Sequence, residues 1–464
     1  MAEERVKTRR QKPEVRVKNF KEVEYTYNDS EALKEANRCL QCANPKCVTG
    51  CPVNIQIPEF IKAIRENNIE KAYEIISLSS LLPAICGRVC PQERQCESMC
   101  IKGLKGEAIA IGALERYVAD WAIEHNIETK VKVKKNGKKV AVIGSGPAGL
   151  SCAADLAKAG FEVVIYEVLH KAGGVLVYGI PEFRLPKSIV EKQVDSLRQL
   201  GVEIKTDAFV GNSITMEELQ KEYDYIFLGT GAGLPRFMGI EGENANGVFS
   251  ANEILTRTNL MGAFKKDGKT PIKKAKKAYV IGGGNVAIDA VRSLRRLGVD
   301  ANIMYRRSME ELPARKVEVE HAKEEGVKFK ILTNPKKILV DENNNVIGME
   351  VVKMILGEAG EDGRRSVIED DSSLHTVKCD MVVMALGTSP NHEALKNTKI
   401  KFDDRGLIVV KNTKTSLKNV YAGGDAVTGA ATVILAMEAG RNAAKEIIES
   451  LTWQNKNKYL YLFY

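Results

Sequence analysis

The chain has 464 residues, of which 44% are hydrophobic and 28% are charged, and this balance excludes a largely disordered protein. The formal net charge is +9, but the basic residues are spread along the chain without an aromatic-interleaved basic block, so a nucleic-acid partner is not expected. There is no run of about 20 apolar residues, so no membrane-spanning helix is expected, and no secretory signal is recognised. We therefore expect a cytoplasmic protein of about three domains.

The N-terminal segment contains eight of the ten cysteines, in two closely spaced groups. Thiols clustered in a reducing compartment indicate metal or iron–sulfur ligands, and a tight loop can deliver several thiolates to one cluster. A tetrahedral zinc site is the alternative, but the pairs are too uneven and too closely interlaced for an ordinary zinc ribbon. The first group is Cys39-x₂-Cys42-x₄-Cys47-x₃-Cys51-Pro52.

The second group adds four more cysteines, so that by count alone the two groups supply two [4Fe–4S] clusters with four thiolates each. Apolar residues at helical spacing over 59–78 and 109–123 predict helices on either side of this second group. The second group is Cys86-x₃-Cys90-Pro91-x₄-Cys96-x₃-Cys100.

A basic, glycine-containing run over 130–139 predicts a solvated turn and a domain boundary, and a strand–glycine loop–helix–strand unit comes after it. The loop is Gly144-Ser145-Gly146-Pro147-Ala148-Gly149, and Glu167 ends the second strand. Glycines of this spacing let the backbone approach a pyrophosphate at a helix N-terminus, and the acid binds a ribose 2′-hydroxyl. The unit therefore predicts a dinucleotide site, which we assign to FAD.

The same unit recurs about 138 residues later, with the loop Gly282-Gly283-Gly284-Asn285-Val286-Ala287. Tyr305 stands where the first unit has Glu167, and Arg306 and Arg307 come directly after it. The carboxylate that would repel a 2′-phosphate is missing, and two guanidinium groups that can hold one are present, which favours NADP over NAD. The alternative is that both arginines lie on a solvated turn and the coenzyme is NAD.

Three further segments are predicted to be strand ends with glycines, and they include Gly231, Gly387 and Gly424. Asp425 and Thr432 stand before a helix predicted over 431–447, where Asp425 would bind the ribityl chain and the helix dipole would face the flavin. A plain turn or N-cap role for Asp425 is the alternative. Because this strand and helix come after the second nucleotide unit, the second domain is predicted to be inserted in the first.

These elements predict an α/β protein with a helical iron–sulfur domain followed by two Rossmann-like domains. The predicted domains are residues 1–128 for the iron–sulfur clusters, 129–255 with 385–464 for FAD, and 256–384 for the coenzyme. The last twelve residues, 453–464, include five aromatic side chains, and we expect this tail either to pack on a partner or a neighbouring domain or to form a core strand.

The motifs and their order resemble the small (beta) subunit of NADPH-dependent glutamate synthase. They also resemble the large subunit of the electron-bifurcating NADH-dependent reduced ferredoxin:NADP oxidoreductase and the N-terminal half of dihydropyrimidine dehydrogenase. The resemblance covers nearly the whole chain. Besides the first cysteine group and the first glycine loop, it rests on Cys86-Gly87-Arg88-Val89-Cys90-Pro91, Ile109-Ala110-Ile111-Gly112-Ala113-Leu114-Glu115 and Gly179-Ile180-Pro181-Glu182-Phe183-Arg184-Leu185-Pro186.

The resemblance implies ligands that differ from the eight-cysteine count. One cluster would be held by Cys39, Cys42, Cys47 and Glu115, where the dihydropyrimidine dehydrogenase branch has glutamine in place of the glutamate. Cys86 would be a buried non-ligand, and Gly174 and Arg184 would join the FAD contacts. The other cluster would be held by Cys51, Cys90, Cys96 and Cys100.

The resemblance also implies a function without a catalytic acid or base, because the flavin carries the chemistry. Electrons would move between NADP(H), FAD and the clusters to a second flavin-containing subunit or to ferredoxin. We favour the large subunit of a bifurcating ferredoxin:NADP transhydrogenase, with the glutamate synthase small subunit as the alternative. A non-catalytic cluster carrier is a third interpretation, which the two intact dinucleotide loops disfavour.

Overall fold

A computed structural model of the chain describes residues 4–127, 133–360 and 363–460. Its N-terminal part is helical, as the apolar periodicity predicts, and two cysteine loops connect the helices. The stretch predicted as one helix over 59–78 forms two, because Asn67 adopts a left-handed backbone (φ 55°) between them. These helices are α1 (Pro13–Arg16), α2 (Asp29–Asn37), α3 (Lys46–Thr49), α4 (Ile57–Arg65), α5 (Ile69–Ser77), α6 (Pro83–Val89) and α7 (Ile111–Glu124).

The remainder of the chain alternates strands and helices. In chain order the described strands are β1 (Lys139–Ile143), β2 (Glu162–Tyr166), β3 (Glu203–Lys205), β4 (Tyr225–Leu228), β5 (Leu234–Pro235), β6 (Val248–Ser250), β7 (Lys277–Ile281), β8 (Asp300–Tyr305), β9 (Phe329–Ile331), β10 (Thr333–Val340), β11 (Val346–Ala359), β12 (Arg365–Lys378), β13 (Met381–Met384), β14 (Thr388–Ser389) and β15 (Val420–Ala422).

The helices that accompany these strands are α8 (Pro147–Lys158), α9 (Val175–Tyr178), α10 (Lys187–Gln199), α11 (Met216–Glu222), α12 (Ala251–Leu255), α13 (Asn285–Arg296), α14 (Lys316–Glu324), α15 (Asp425–Thr428) and α16 (Val433–Leu460). Helix α16 is longer than predicted and continues into the aromatic tail. The last four residues of that tail lie outside the described residues.

Two parallel five-stranded sheets confirm the predicted fold class. The first has the order β15-β4-β1-β2-β3 and the second has the order β6-β13-β7-β8-β9. Strand β15 pairs with β4 in register Tyr421↔Phe227, so the first sheet is completed only after the chain has formed the second. The second nucleotide unit is therefore inserted in the first.

The domain boundaries are less simple than the sequence suggested. Strand β6 pairs with β13 in register Val382↔Val248, so residues 248–250 belong to the second sheet although we placed them in the FAD domain. The other strands between the two sheets are β5 and β14, which pair as a short antiparallel ladder. The predicted boundary at 128 lies in a segment outside the described residues. A three-stranded antiparallel sheet, β10-β11-β12, was not predicted.

The packing joins the iron–sulfur part to the first nucleotide unit. One continuous apolar core contains residues of α4 and α7 together with residues of α8, β1 and α16, including Phe60, Leu114, Leu150 and Met437. The second sheet has cores of its own. The N-terminal arm, which we define as residues 5–27, reaches the second nucleotide unit, where Phe20 stacks on Phe264 at 4.2 Å between ring centroids.

A buried ion-pair cluster lies where the N-terminal arm meets α14. Arg16 is fully buried and its Nε lies 2.8 Å from Glu325 Oε1. Glu325 also contacts Arg292 and Arg296 of α13, at 2.9 and 2.7 Å. Several arginines surrounding one carboxylate hold the pKa of Glu325 far below its usual value, although burial opposes this. The arm is thereby held against the second nucleotide unit by charge.

Candidate functional site

Four cysteines form a half-buried group at the surface of the iron–sulfur part. Burial raises the pKa of Cys47 to about 11, and the thiols of Cys100, Cys39 and Cys42 lie near enough to contribute. Burial likewise raises the pKa of Cys39, with Cys100 and Cys42 as neighbours. Gln41 Nε2 donates to Cys39 Sγ at 3.4 Å. Loop 39–47 and Cys100 are therefore brought together.

The second group is buried and contains a carboxylate. Burial raises the pKa of Cys51 to about 11, with Glu115 and Cys90 among the groups that raise it further. The thiol of Cys96 has Glu115, Cys90 and Cys51 as electrostatic neighbours. All four side chains are buried. Helix α7 thus places Glu115 beside the thiols of Cys51, Cys90 and Cys96.

The side chains that lie together in the structure differ from the grouping that the resemblance implies. Cys100 was expected with Cys51, and Glu115 with Cys39, whereas Cys100 lies near Cys47 and Glu115 lies near Cys51. The reason is that the loop before α7 returns Cys100 to the first cysteine loop, while Glu115 lies one helical turn inside α7 and faces the core. The two groups are therefore Cys39, Cys42, Cys47, Cys100 and Cys51, Cys90, Cys96, Glu115. Which of these side chains hold each cluster stays a prediction.

Glu115 has the properties of a ligand rather than of a surface ion-pair residue. Its side chain is buried, Oε1 has no hydrogen-bond partner among the described residues, and burial raises its pKa to about 8. A buried carboxylate without a partner is costly, and a cluster iron would supply the missing interaction. Within the described ranges, no three His, Cys, Asp or Glu side chains converge on a single metal ion. A [4Fe–4S] cluster does not require this, because each of its irons takes one protein ligand.

Cys86 lies beside the buried group and contacts a methionine of the first nucleotide unit. Its Sγ lies 3.5 Å from Met437 Sδ on α16, and its side chain is almost completely buried. The thiol of Cys90 lies next to it and hydrogen-bonds with it. Cys86 therefore packs between the buried cysteine group and the last helix of the first nucleotide unit, and its non-ligand role stays a prediction.

The first glycine loop has the geometry of a pyrophosphate cradle. A Cβ on Gly149 would lie 1.9 Å from the carbonyl oxygen of Gly144, so only glycine allows α8 to start this close to β1. A Cβ on Gly146 would meet nothing within 4 Å among the described residues, which leaves space in front of the helix N-terminus. Pro147 is the first residue of α8.

Glu167 ends β2 beside this loop. Its carboxylate accepts hydrogen bonds from the backbone N–H groups of Ser145, at 2.9 Å, and Leu169, at 2.8 Å, and from the Ser145 hydroxyl. Ser145 Oγ in turn accepts from the N–H of Gly173 at 2.9 Å. These contacts hold the carboxylate at the end of β2, where the acid of a Rossmann site accepts a hydrogen bond from a ribose hydroxyl.

Several of the other predicted FAD residues converge on the start of α8. A Cβ on Gly174 would lie 2.9 Å from Gly146 Cα, and one on Gly424 would lie 2.9 Å from Ala148 Cβ. Asp425 Oδ1 accepts from the N–H of Ala431 at 3.3 Å, and burial raises its pKa to about 6. Thr432 immediately precedes α16.

Arg184, a predicted FAD residue, forms ion pairs with two carboxylates. Its Nη1 lies 2.7 Å from Asp289 of α13, and its Nε lies 3.0 Å from Glu318 of α14. These carboxylates are buried in the second nucleotide unit, and they neutralise the guanidinium there. Arg184 therefore ties the two nucleotide units together, and its contact with FAD stays a prediction.

The second glycine loop, like the first, leaves space in front of its helix N-terminus. A Cβ on Gly284 would meet nothing within 4 Å among the described residues, and the same is true of Gly387, which lies after β13. Gly282 has a φ of 143° and approaches Ala385, while Val286 is exposed. Gly231 is half-buried after β4, on the side of the first unit.

The two arginines after β8 lie at the mouth of this loop. Arg306 is exposed, whereas Arg307 donates from Nε to the carbonyl oxygen of Arg365 at 2.8 Å. Arg365 begins β12 and forms an ion pair with Glu311 at 3.3 Å. Arg365 was not predicted from the sequence, because it comes from the unpredicted antiparallel sheet.

A contact with the iron–sulfur part was also missed. The backbone N–H of Arg315 donates to Asn285 Oδ1 at 2.9 Å, and its Nη2 donates to Gln92 Oε1 at 2.9 Å. Residues so distant in the chain carry no joint pattern in the sequence.

None of the described helices combines the length and the apolar character that a membrane-spanning helix needs.

Comparisons with known families agree with both halves of this site. Residues 16–127 match the family described as dihydropyrimidine dehydrogenase domain II, 4Fe-4S cluster. Residues 138–440 match the family described as pyridine nucleotide-disulphide oxidoreductase. The structure of Mycobacterium tuberculosis FprA in complex with NADPH shares the fold, with a TM-score of 0.59 and 19% identity over 69% of this chain and 86% of that one.

Three curated relatives share more than a third of their aligned residues with the chain. The glutamate synthase [NADPH] small chain of Escherichia coli is 36% identical over 94% of this chain and 95% of its own length. The NADPH-Fe(3+) oxidoreductase subunit beta of Geobacter sulfurreducens is 35% identical over 93% and 67%. The NADP(+)-dependent formate dehydrogenase subunit beta of Moorella thermoacetica is 37% identical over 87% and 60%.

Proposed function

The chain belongs to the family of glutamate synthase small chains and related NADPH-dependent oxidoreductases with FAD and [4Fe–4S] clusters, and we propose that it delivers electrons from NADPH to a partner subunit. When bound, FAD takes a hydride from NADPH and releases single electrons. The first glycine loop and Glu167 would hold FAD, and the second loop with Arg306 and Arg307 would hold NADPH.

The observation that carries the proposal is the unequal burial of the two cysteine groups. The buried group, with Glu115, lies against the first nucleotide unit, because Cys86 contacts Met437 of α16. The half-buried group, with Cys100, lies at the surface. Electrons would enter at the buried group and leave from the half-buried one.

The surface around the half-buried group has the character of a docking face. Its apolar side chains are 44–81% exposed, which is unusual unless a partner covers them. Its basic side chains would favour an acidic redox partner. The apolar members are Leu40, Met99, Ile101 and Leu104, and the basic ones are Lys46, Lys102 and Lys105.

Two more specific functions are possible, and they differ in the partner subunit that receives the electrons. The motifs of the sequence favour a bifurcating ferredoxin:NADP transhydrogenase, in which one electron passes to ferredoxin and the other passes to a flavin-containing partner that uses NAD. The match along 95% of the Escherichia coli small chain favours a glutamate-forming large subunit instead.

The experiment is anaerobic purification of the protein from its native cells, with mass spectrometry of whatever co-purifies. We expect a flavin-containing partner, and we expect NADPH to bleach the flavin absorbance of the complex. A partner that forms glutamate assigns the glutamate synthase role, whereas a partner that couples NADH and ferredoxin to NADP assigns bifurcation. Cluster absorbance without any NADPH-reducible flavin would overturn the proposal.

A further inference from the structure

A short connector, Leu312–Arg315, lies between the second glycine loop and the iron–sulfur part. The N–H of Ala314 donates to the carbonyl oxygen of Gly283 at 3.2 Å, and the N–H of Arg315 donates to Asn285 Oδ1 at 2.9 Å. The connector is therefore hydrogen-bonded to the loop that would receive the coenzyme phosphates.

The other side of the connector is held by the loop that carries Cys90. Arg315 Nη2 donates to Gln92 Oε1 at 2.9 Å, and Nη1 donates to the carbonyl oxygen of Arg88 at 3.1 Å. Arg94 donates to the carbonyl oxygens of Pro313 and Ala314, at 3.1 and 3.3 Å. The side chain of Arg315 is 11% exposed, so water screens it little, and its Nε also forms an ion pair with the partly exposed Glu93 at 3.4 Å.

Gln92 extends this connection to the backbone around the buried cysteine group. Its Nε2 donates to the carbonyl oxygens of Cys86 and Gly87, at 3.2 and 3.3 Å. A Cβ on Gly112 would lie 2.3 Å from the same nitrogen, so Gln92 is also packed against the helix that carries Glu115.

We propose that Arg315 is a positioning residue shared by the coenzyme loop and the buried cysteine group, so that coenzyme binding and the reduction potential of that cluster influence each other. This inference rests on the proposed function. A positive charge beside a cluster favours its reduced form, which is the more negative one. Coenzyme phosphates bound at the start of α13 would lie on the other side of Arg315 and weaken its effect on the cluster.

The sign of the coupling depends on these charges. Binding of an anionic ligand at the second loop lowers the reduction potential, and reduction of the cluster weakens the binding of that ligand by the same factor. A threefold ratio of affinities corresponds to about 28 mV, because a factor of ten corresponds to 59 mV for one electron.

The test is an electron paramagnetic resonance redox titration of the holoprotein, with and without 2′,5′-ADP, which cannot be reduced. The variants are Arg315→Gln, which removes the charge, and Arg315→Lys, which keeps it. Arg295→Gln is the control, since Arg295 lies on the same unit and pairs with Asp300 at 2.8 Å. Dithionite drives the titration, so the result needs neither NADPH turnover nor a partner.

We expect 2′,5′-ADP to lower the potential of one wild-type cluster by an amount equal to at least a threefold affinity ratio. In Arg315→Gln that cluster should have a lower potential, and most of the 2′,5′-ADP shift should be lost. Arg315→Lys should keep a potential near the wild-type value but show a reduced 2′,5′-ADP shift, and Arg295→Gln should match the wild type in both. An unchanged potential in Arg315→Gln, or an undiminished ligand shift, would overturn the proposal.

The lysine variant keeps the test decisive if Arg315→Gln fails to incorporate its clusters. Lysine cannot donate in a fork to both Gln92 and the Arg88 carbonyl, yet it retains the positive charge. A potential near the wild-type value supports the charge effect, and a reduced ligand shift supports the positioning effect. If the lysine variant has both the wild-type potential and the full ligand shift, the guanidinium contacts have no role.

Discussion

At the scale of single residues, Glu115 is the most informative side chain of the iron–sulfur part. It is buried among thiols, and one of its oxygens has no partner within the described residues. We propose that it completes the ligand set of Cys51, Cys90 and Cys96. Cys100 then completes the set of Cys39, Cys42 and Cys47, which leaves Cys86 free to pack against Met437.

Iron content of paired variants tests this grouping. Cys96→Ala should lose about four irons, because one cluster loses a thiolate. Adding Glu115→Ala should remove no more iron, since both residues serve the same cluster, whereas adding Cys100→Ala should remove the remaining iron as well. Cys86→Ala alone should keep both clusters.

The opposite pattern would restore the grouping expected from the resemblance. In that case Cys96→Ala with Glu115→Ala would lose all iron, and Cys96→Ala with Cys100→Ala would lose only half. A loss of iron in Cys86→Ala, with Glu115→Ala silent, would instead show that eight cysteines hold the clusters.

At the scale of elements, the two βαβ units differ in the side chains at the end of their second strand. Strand β2 ends at a carboxylate that is fixed by backbone N–H groups, whereas β8 ends at Tyr305, with Arg306 and Arg307 directly after it. The hairpin of β11 and β12 adds Arg365 to the same region. The second unit is therefore cationic where the first is anionic.

Coenzyme preference should depend on that difference. Replacing Arg306 and Arg307 with alanine should raise the Kd of NADPH at least tenfold and spare NADH, because charge-assisted contacts to a 2′-phosphate are worth about 1.5–3 kcal/mol each. The measurement is the coenzyme concentration needed for half-maximal flavin reduction. Arg405→Gln, on an exposed loop, is the control, and equal reduction of the wild-type flavin by NADH and NADPH would refute the assignment.

The elements that the sequence predicted are those with a local signal. Strand β1, the glycine loop and α8 succeed one another within 20 residues, so periodicity and turn residues suffice to find them. Strand β12 is mostly exposed and polar on both faces, and it therefore lacks the alternation that identifies a half-buried strand. The sequence also could not predict that Cys100 lies near Cys47 and Glu115 near Cys51, because residue spacing does not show which loops come together in the fold.

At the scale of the whole molecule, buried charges connect parts that are distant in the chain. Glu325 accepts contacts from Arg16 of the N-terminal arm and from Arg292 and Arg296 of α13. Arg184 of the first unit pairs with Asp289 and Glu318 of the second. No sequence pattern relates these residues, and their pairing depends on the tertiary fold.

Glu325→Gln should therefore be strongly destabilising. Removing one partner of a buried ion pair costs about 3–5 kcal/mol of unfolding free energy. The neighbouring arginines lower the pKa of Glu325. The stability that its ion pairs provide is therefore complete above pH 4.5, the usual pKa of a glutamate, and declines only as the pH falls below that value. The difference from the wild type should thus be equal at pH 8 and pH 6.

Chemical unfolding, monitored by circular dichroism at both pH values, measures this difference. Glu74→Gln is the matched control, because Glu74 forms an exposed pair with Lys71 and should change stability by less than about 0.5 kcal/mol. A Glu325→Gln protein as stable as the control would show that the cluster does not hold the arm in place.

The nested topology has a consequence for how the protein is made. On the ribosome, β1, β2 and β4 emerge before the second sheet, but β4 acquires its outer neighbour β15 only when residues 420–422 have been translated. Helix α16, which supplies Met437 to the shared core, emerges later still. Domains generally fold as units during synthesis, so the inserted unit can fold while the first remains open along one edge. Because Gly424, Asp425 and Thr432 of the predicted FAD site follow β15, we expect flavin loading to be among the last steps of maturation. A ribosome that stalls before β15 leaves a nascent chain with an exposed strand edge at β4.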